Sequence, residues 1–154
     1  VMLTEHLPEA LYRLLDGAEL EKKQHDAFVL QSVTKEGRPH AAMISAGEIV
    51  AVSRTNLRLA LWKNTTTVKS LLHSGQALFI AWHGGAAYYV TLECEALPPL
   101  KEAKHERERF SCRVITVKED RAKYADLTSG PAIQLHEPED VLKRWRETLE
   151  ELKR

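Results

Sequence analysis

The stretch WKNTTTVKSLLHSG, residues 62–75, sets Thr65, Thr66 and Thr67 side by side, with Lys63 two residues before them and Lys69 two residues after. Val68, Leu71 and Leu72 fall at i, i+3 and i+4, and Gly75 follows His73, so the threonines open a predicted helix over 65–74. The first amides of a helix lack intrahelical acceptors, and the macrodipole leaves partial positive charge there, so one bound anion answers both. Hydroxyls supply short donors and lysine supplies charge, a combination suited to a phosphate group. The same residues also read as an ordinary capped helix, with one threonine as N-cap and the lysines in solvent. On local pattern alone both readings stand.

The distribution of charge bears on that choice. The chain carries 22 basic and 22 acidic residues, yet no aspartate or glutamate occurs from Ile49 to Leu92. Arg54, Arg58, Lys63 and Lys69 all fall inside this window, which predicts a positive field around the helix start. Zero formal net charge gives no reason to expect nucleic acid or an acidic membrane as a partner. Trp62, Trp82, Tyr88 and Tyr89 lie in the same window as core or interface aromatics whose position also fits a planar ligand. The seven histidines make no HxH or HxxxH pair, so metal-ligand spacing is lacking. The serine-hydrolase, Rossmann and P-loop signatures are absent as well.

The elements that position these residues follow from periodicity. At 154 residues the chain has the length of one domain. LPEALYRLLDG predicts an N-terminal helix over about 8–16, begun by Pro8 and stopped by Gly17. DAFVLQSV, HAAMIS and EIVAVSR read as three short strands divided by turn signals, and QALFIAW and AAYYVTLECEAL as a hairpin around His83, Gly84 and Gly85. In the second arm Tyr88, Val90, Leu92, Cys94 and Ala96 face one way and Tyr89, Thr91, Glu93 and Glu95 the other. RFSCRVITV and SGPAIQL read as further strands, with PPLKEAKHERER a polar connection or short helix before them. EPEDVLKRWRETLEELKR predicts an amphipathic C-terminal helix over about 138–153, with Leu142, Trp145, Leu149 and Leu152 on its apolar stripe. The expected fold is α+β: an antiparallel six- to seven-stranded barrel or sandwich with peripheral helices. Neither a signal peptide nor an apolar run long enough to span a bilayer is visible, so the chain reads as soluble and cytoplasmic. Cys94 and Cys112, each in an apolar alternating stretch, read as reduced and structural.

This order of elements resembles the pyridoxamine 5′-phosphate oxidase-like FMN-binding split-barrel family, from about Ala27 to Ala96 and on through the strand at 110–117. GRPHAAMIS is similar to the family's strand entering the flavin site, which by match sets Ala42, Met43, Ile44 and Ser45 against the isoalloxazine ring. IVAVSRT followed by TTTVKSLLHSGQALFIA is similar to the strand and helix that hold the FMN phosphate. That match points to Ser53, Thr65, Thr66 and Thr67, with charge from Lys63 and Lys69. Tyr89 falls at the polar position of the long strand and, with His40, is a candidate pocket-lining residue. The resemblance implies FMN as cofactor, flavin redox chemistry on an unknown substrate, and a homodimer with the cofactor between subunits. Threonines stand where the oxidases carry basic residues on the phosphate helix, and His40, Ser45 and Cys94 depart from the family's pattern too, all of which points away from pyridoxamine phosphate oxidation itself. The alternatives within the fold are a non-catalytic flavin- or haem-binding module and a cofactor-free structural dimer.

Overall fold

Alternation of apolar and polar residues closes this chain into one curled antiparallel sheet, seen in a computed structural model that describes residues 2–154. Its strands are β1 (Met2–Thr4), β2 (Ala27–Val33), β3 (Pro39–Ser45), β4 (Ile49–Ala51), β5 (Asn56–Leu61), β6 (Gln76–His83), β7 (Ala86–Ala96) and β8 (Glu108–Asp120). The helices are α1 (Glu9–Leu15), α2 (Leu20–Lys23), α3 (Thr66–Ser74) and α4 (Pro138–Leu152). The hydrogen-bonded path runs β3-β2-β6-β7-β8-β5-β4, with β1 added to β8. Its two ends, β3 and β4, are joined by a turn of three residues, so the sheet must curl until its first and last strands meet at a corner. This is an α+β split barrel.

Local chemistry sets each join. Gly84 and Gly85 have φ of 58° and 82°, the left-handed pair that a two-residue hairpin requires, and they set the β6–β7 register at His83 opposite Ala86. Between β7 and β8 the register slips at Thr91 and Leu92, leaving Ile115 as an extra residue on β8. A bulge bends the strand that carries it. Here it falls where β8 changes partner, from β5 along 108–113 to β1 along 117–119.

The inward residues fill one core around Leu11, Phe28, Leu30, Phe79, Val90 and Phe110, all at most 1% exposed. The Phe28 and Phe79 rings meet in a tilted pair with centroids 5.3 Å apart. Burying a side chain of this size is worth roughly 1.5–3 kcal/mol each, so the core outweighs any single surface contact. α3 packs on β2, β3, β6 and β7, while α4 lies across β4 and β5.

Several expectations need correction. The β4 strand stops at Ala51 instead of running on through Arg54, because the chain turns at 52–55 into β5, a strand that the sequence reading did not anticipate. SGPAIQL is not a strand: Pro131 has no amide to donate, and only a single bridge between Asp26 and Ala132, with bonds from the Ala27 and Ile133 amides, holds it to the body. Of the two readings of PPLKEAKHERER the connection holds and the short helix does not, and α2 and β1 were unforeseen. The helices at 9–15, 66–74 and 138–152 fall within a residue of their expected limits.

Candidate functional site

At the start of α3 the three threonines separate into three roles. Thr65 is the N-cap, its Oγ1 accepting from the Val68 amide at 3.2 Å and donating to the Trp62 carbonyl at 3.3 Å. That hydroxyl is consumed by the helix itself. Thr67 is 5% exposed and packs inward with Val68 and Leu71. Thr66 alone presents its hydroxyl to solvent, and the Thr66 and Thr67 amides, in the first turn, have no i−4 carbonyl. Lys69 is exposed one turn on, and Lys63 is exposed with a 3.4 Å contact to Glu106. A phosphate here would therefore be held by the Thr66 hydroxyl, two amides and Lys69, with Lys63 within the same turn of chain.

The positive field expected from the acid-free window is smaller than its sequence suggests. Arg58 is drawn away to α4, where its Nη1 donates to the Leu152 carbonyl at 3.0 Å, and Arg109 reaches the same carbonyl at 3.5 Å. Two cations on the last carbonyls of a helix oppose its dipole. Arg54 belongs to the β4–β5 turn, beside the Tyr12 ring.

Along β3 the register divides the candidate residues between two faces. Ala42 and Ile44 face inward, opposite Leu30 and Phe28 of β2, whereas Met43 and Ser45 face outward, with Met43 64% exposed. His40 pairs with buried Ser32 on the inward face near the barrel end. Tyr89 faces outward on β7, its hydroxyl donating to Asp120 at 2.8 Å. β2 and β6 lie between it and β3, so at about 4.8 Å per strand some 14 Å separate Tyr89 from Met43 within one chain. Ser53 stands apart in the β4–β5 turn, bonded to Thr55 at 3.2 Å. The six residues of β5, at about 3.3 Å each, set it roughly 20 Å from the α3 start. The missed strand β5 is the reason, since strand and helix were read as neighbours in sequence.

Ser45 and Trp62 meet at a cavity of about 320 Å³ bounded by the β3–β4 turn, residues 133–136 and α4. Trp62 is 55% exposed, and the Arg107 guanidinium lies over its ring at 3.7 Å from the centroid. Glu48 Oε1 accepts from the Ser45 amide at 2.9 Å and from the Ser45 hydroxyl at 3.0 Å. Burial pushes the Glu48 carboxyl above its ordinary value, against the pull of those bonds and of Arg107 and Arg144. Burial pushes the Arg107 guanidinium down, and the nearby charge of Arg144 adds to it. Sequence reasoning reached Ser45 and Trp62 but missed Glu48, Arg107 and Arg144, which lie far apart in the chain and form no motif. On β7 and β8, Cys94 and Cys112 are register partners, both free and buried. Burial raises the Cys112 thiol well above its usual range and hydrogen bonding to Cys94 adds to the effect, so this thiol is a poor nucleophile.

The curled antiparallel sheet and the helix seated against it define a class of fold, the split barrel. Among solved structures the chain is similar to HupZ of Group A Streptococcus, with a TM-score of 0.53 at 8% identity over 66% of this chain and 97% of that one. It is equally similar to a Lactobacillus delbrueckii protein named for pyridoxamine 5′-phosphate oxidase, with a TM-score of 0.53 at 16% identity over 75% and 93%. At these identities the likeness is one of fold. No protein-family model matches the chain. The chain belongs to the same family as the Uncharacterized protein YclD of Bacillus subtilis (strain 168), to which it is 65% identical over 148 residues, 96% of each chain.

Proposed function

We propose that this protein binds FMN, with the phosphate at the start of α3 and the ring against the outer face of β3, and that it serves as a flavin-dependent oxidoreductase. The observation that carries the reading is the division of labour among the threonines: Thr65 caps the helix, while Thr66 stays exposed one turn from exposed Lys69, beside first-turn amides that lack an intrahelical acceptor. The cap uses the Thr65 hydroxyl and leaves that of Thr66 available to a ligand. Met43 on the outer face of β3 and Trp62 just before α3 are both exposed apolar side chains that a ring could cover. Bound flavin would supply hydride or electron transfer, and the chain's own residues would anchor and orient it.

A homodimer completes this reading. The outward faces of β2, β3 and β6 bring Val29, Met43 and Ile80 into one row, an apolar stripe on the sheet's outer side. A second copy laid on that stripe would cover it, and could bring its own Tyr89 to the first copy's β3.

Thr66→Glu tests the phosphate seat. Acids are favourable in a first helical turn, so the variant should fold as the wild type does while its FMN affinity, followed by quenching of flavin fluorescence, falls at least tenfold. An unchanged affinity would sink the assignment.

A further inference from the structure

We propose that the cavity between the β3–β4 turn and α4 is a second binding site, one that takes the carboxylate or phosphate group of a small organic molecule between Arg107 and Arg144. The two guanidiniums come from distant parts of the chain, one just before β8 and one on α4, and both line the same space. Among the described residues neither has an ion-pair partner: the single hydrogen bond of Arg107 goes to the carbonyl of its neighbour Glu106, and Arg144 makes none. Like charges drawn together cost stability, and Glu48, whose carboxylate feels both guanidiniums, offsets that only at a distance, with no ion pair to either among the described residues. Packing does not oblige the arrangement, since α4 is already held by its apolar stripe and by Arg58 and Arg109 at its far end. An oxyanion between the guanidiniums relieves the repulsion, and the planar fork of arginine suits both carboxylate and phosphate.

The remaining walls suit the body of such a molecule. Trp62 and Trp145 give aromatic surface, and about 320 Å³ lies within the range of small-ligand sites. The stack of Arg107 on Trp62 fixes one guanidinium in advance, so less freedom is lost on binding. Glu48 is the one acid on the wall, and Ser45 already occupies its Oε1. Its charge weakens the grip on an anion without closing the site.

The test is calorimetric titration of the full chain with benzoate, phenyl phosphate and the neutral benzamide. The anions should bind and benzamide should not. Arg107→Gln and Arg144→Gln should each weaken binding at least tenfold, and Glu48→Gln should strengthen it severalfold. Because Arg107 also packs on Trp62, Arg144→Gln, at an exposed position, decides the matter if the other variant does not fold. Tighter phenyl phosphate marks the group as phosphate, and tighter benzoate marks it as carboxylate. The proposal is overturned if neither anion binds, if benzamide binds as well as benzoate, or if Arg144→Gln binds like the wild type. The two sites are separable: Thr66→Glu should keep anion binding here, and Arg144→Gln should keep FMN. Loss of FMN in Arg144→Gln would mean that this cavity is the flavin phosphate seat, which overturns both assignments.

Discussion

Gly47 shows how much can hang on a missing methyl group. A Cβ at that position would stand 2.1 Å from the Trp145 ring, so α4 lies flat on the β3–β4 turn only because residue 47 has no side chain. Gly47→Ala should therefore cost about 1–3 kcal/mol, the usual penalty of overpacking, read as a lower urea midpoint with unchanged slope. Glu48, one residue on, gives a pH signature. Its carboxyl is raised by burial, so its contribution to stability is fully present below the ordinary carboxylate value and is lost as pH rises through the raised one. Glu48→Gln keeps an acceptor for Ser45 and removes the titration. Its melting temperature should match the wild type near pH 4 and exceed it at pH 7, and a difference independent of pH would refute this account. Neither residue was legible in the sequence. Nothing in AGEI says that a tryptophan 98 positions later will press on the glycine, whereas a threonine cap among residues 65–67 could be recognised because capping is local.

Among the elements, α4 was the most legible and its consequences the least. The spacing of Leu142, Trp145, Leu149 and Leu152 predicts a helix with one buried face, and those residues are buried. Its polar face could not be read in the same way. Glu151 accepts from the backbone amides of Lys104 and His105 at 2.6 and 3.1 Å, and Glu147 takes the Lys104 and His105 side chains, so α4 straps down the connection between β7 and β8. Glu151→Ala should strip two amides of their acceptor. Each broken bond leaves a half-buried donor, and the expected loss is about 1–3 kcal/mol, with faster amide exchange confined to residues 98–107. Exchange that quickens evenly across the chain would show that Glu151 acts through the helix and not through the strap. The lost strand at 129–135 and the unforeseen β5 share a cause: alternation marks a segment as able to pair, but pairing depends on which edge is vacant, and that is decided by strands far off in sequence.

For the whole molecule the curl of the sheet sorts inward from outward residues, and the outward stripe is where assembly can be tested. Val29→Glu combined with Ile80→Glu places two charges opposite each other on β2 and β6 without touching the core. If the proposed dimer uses this stripe, light scattering should show a folded species of half the wild-type mass. A wild type that is already monomeric, or a double variant that remains dimeric, would remove the stripe from the interface. The class of fold was legible at this scale because the strand, helix and hairpin order survives substitution of nearly every residue along it, as identities of 8% and 16% to proteins of the same fold attest. The cavity beneath α4 was not, since it arises where segments near residues 47, 62, 107, 135 and 144 converge.

The position of β8 has a consequence for how the protein is made. It pairs with β7 along one edge and with both β5 and β1 along the other, so three strands, the earliest among them, depend on a segment that ends at Asp120. During synthesis from the N-terminus, β1 and one edge of β5 must wait, unpaired, until residues 108–120 have left the ribosome. Hairpins such as β6–β7 can form at once, but the sheet closes only by joining residues more than a hundred positions apart, a topology that folds slowly. A growing chain of this protein therefore carries exposed strand edges for most of its birth, and is then most open to capture by chaperones or by other copies of itself.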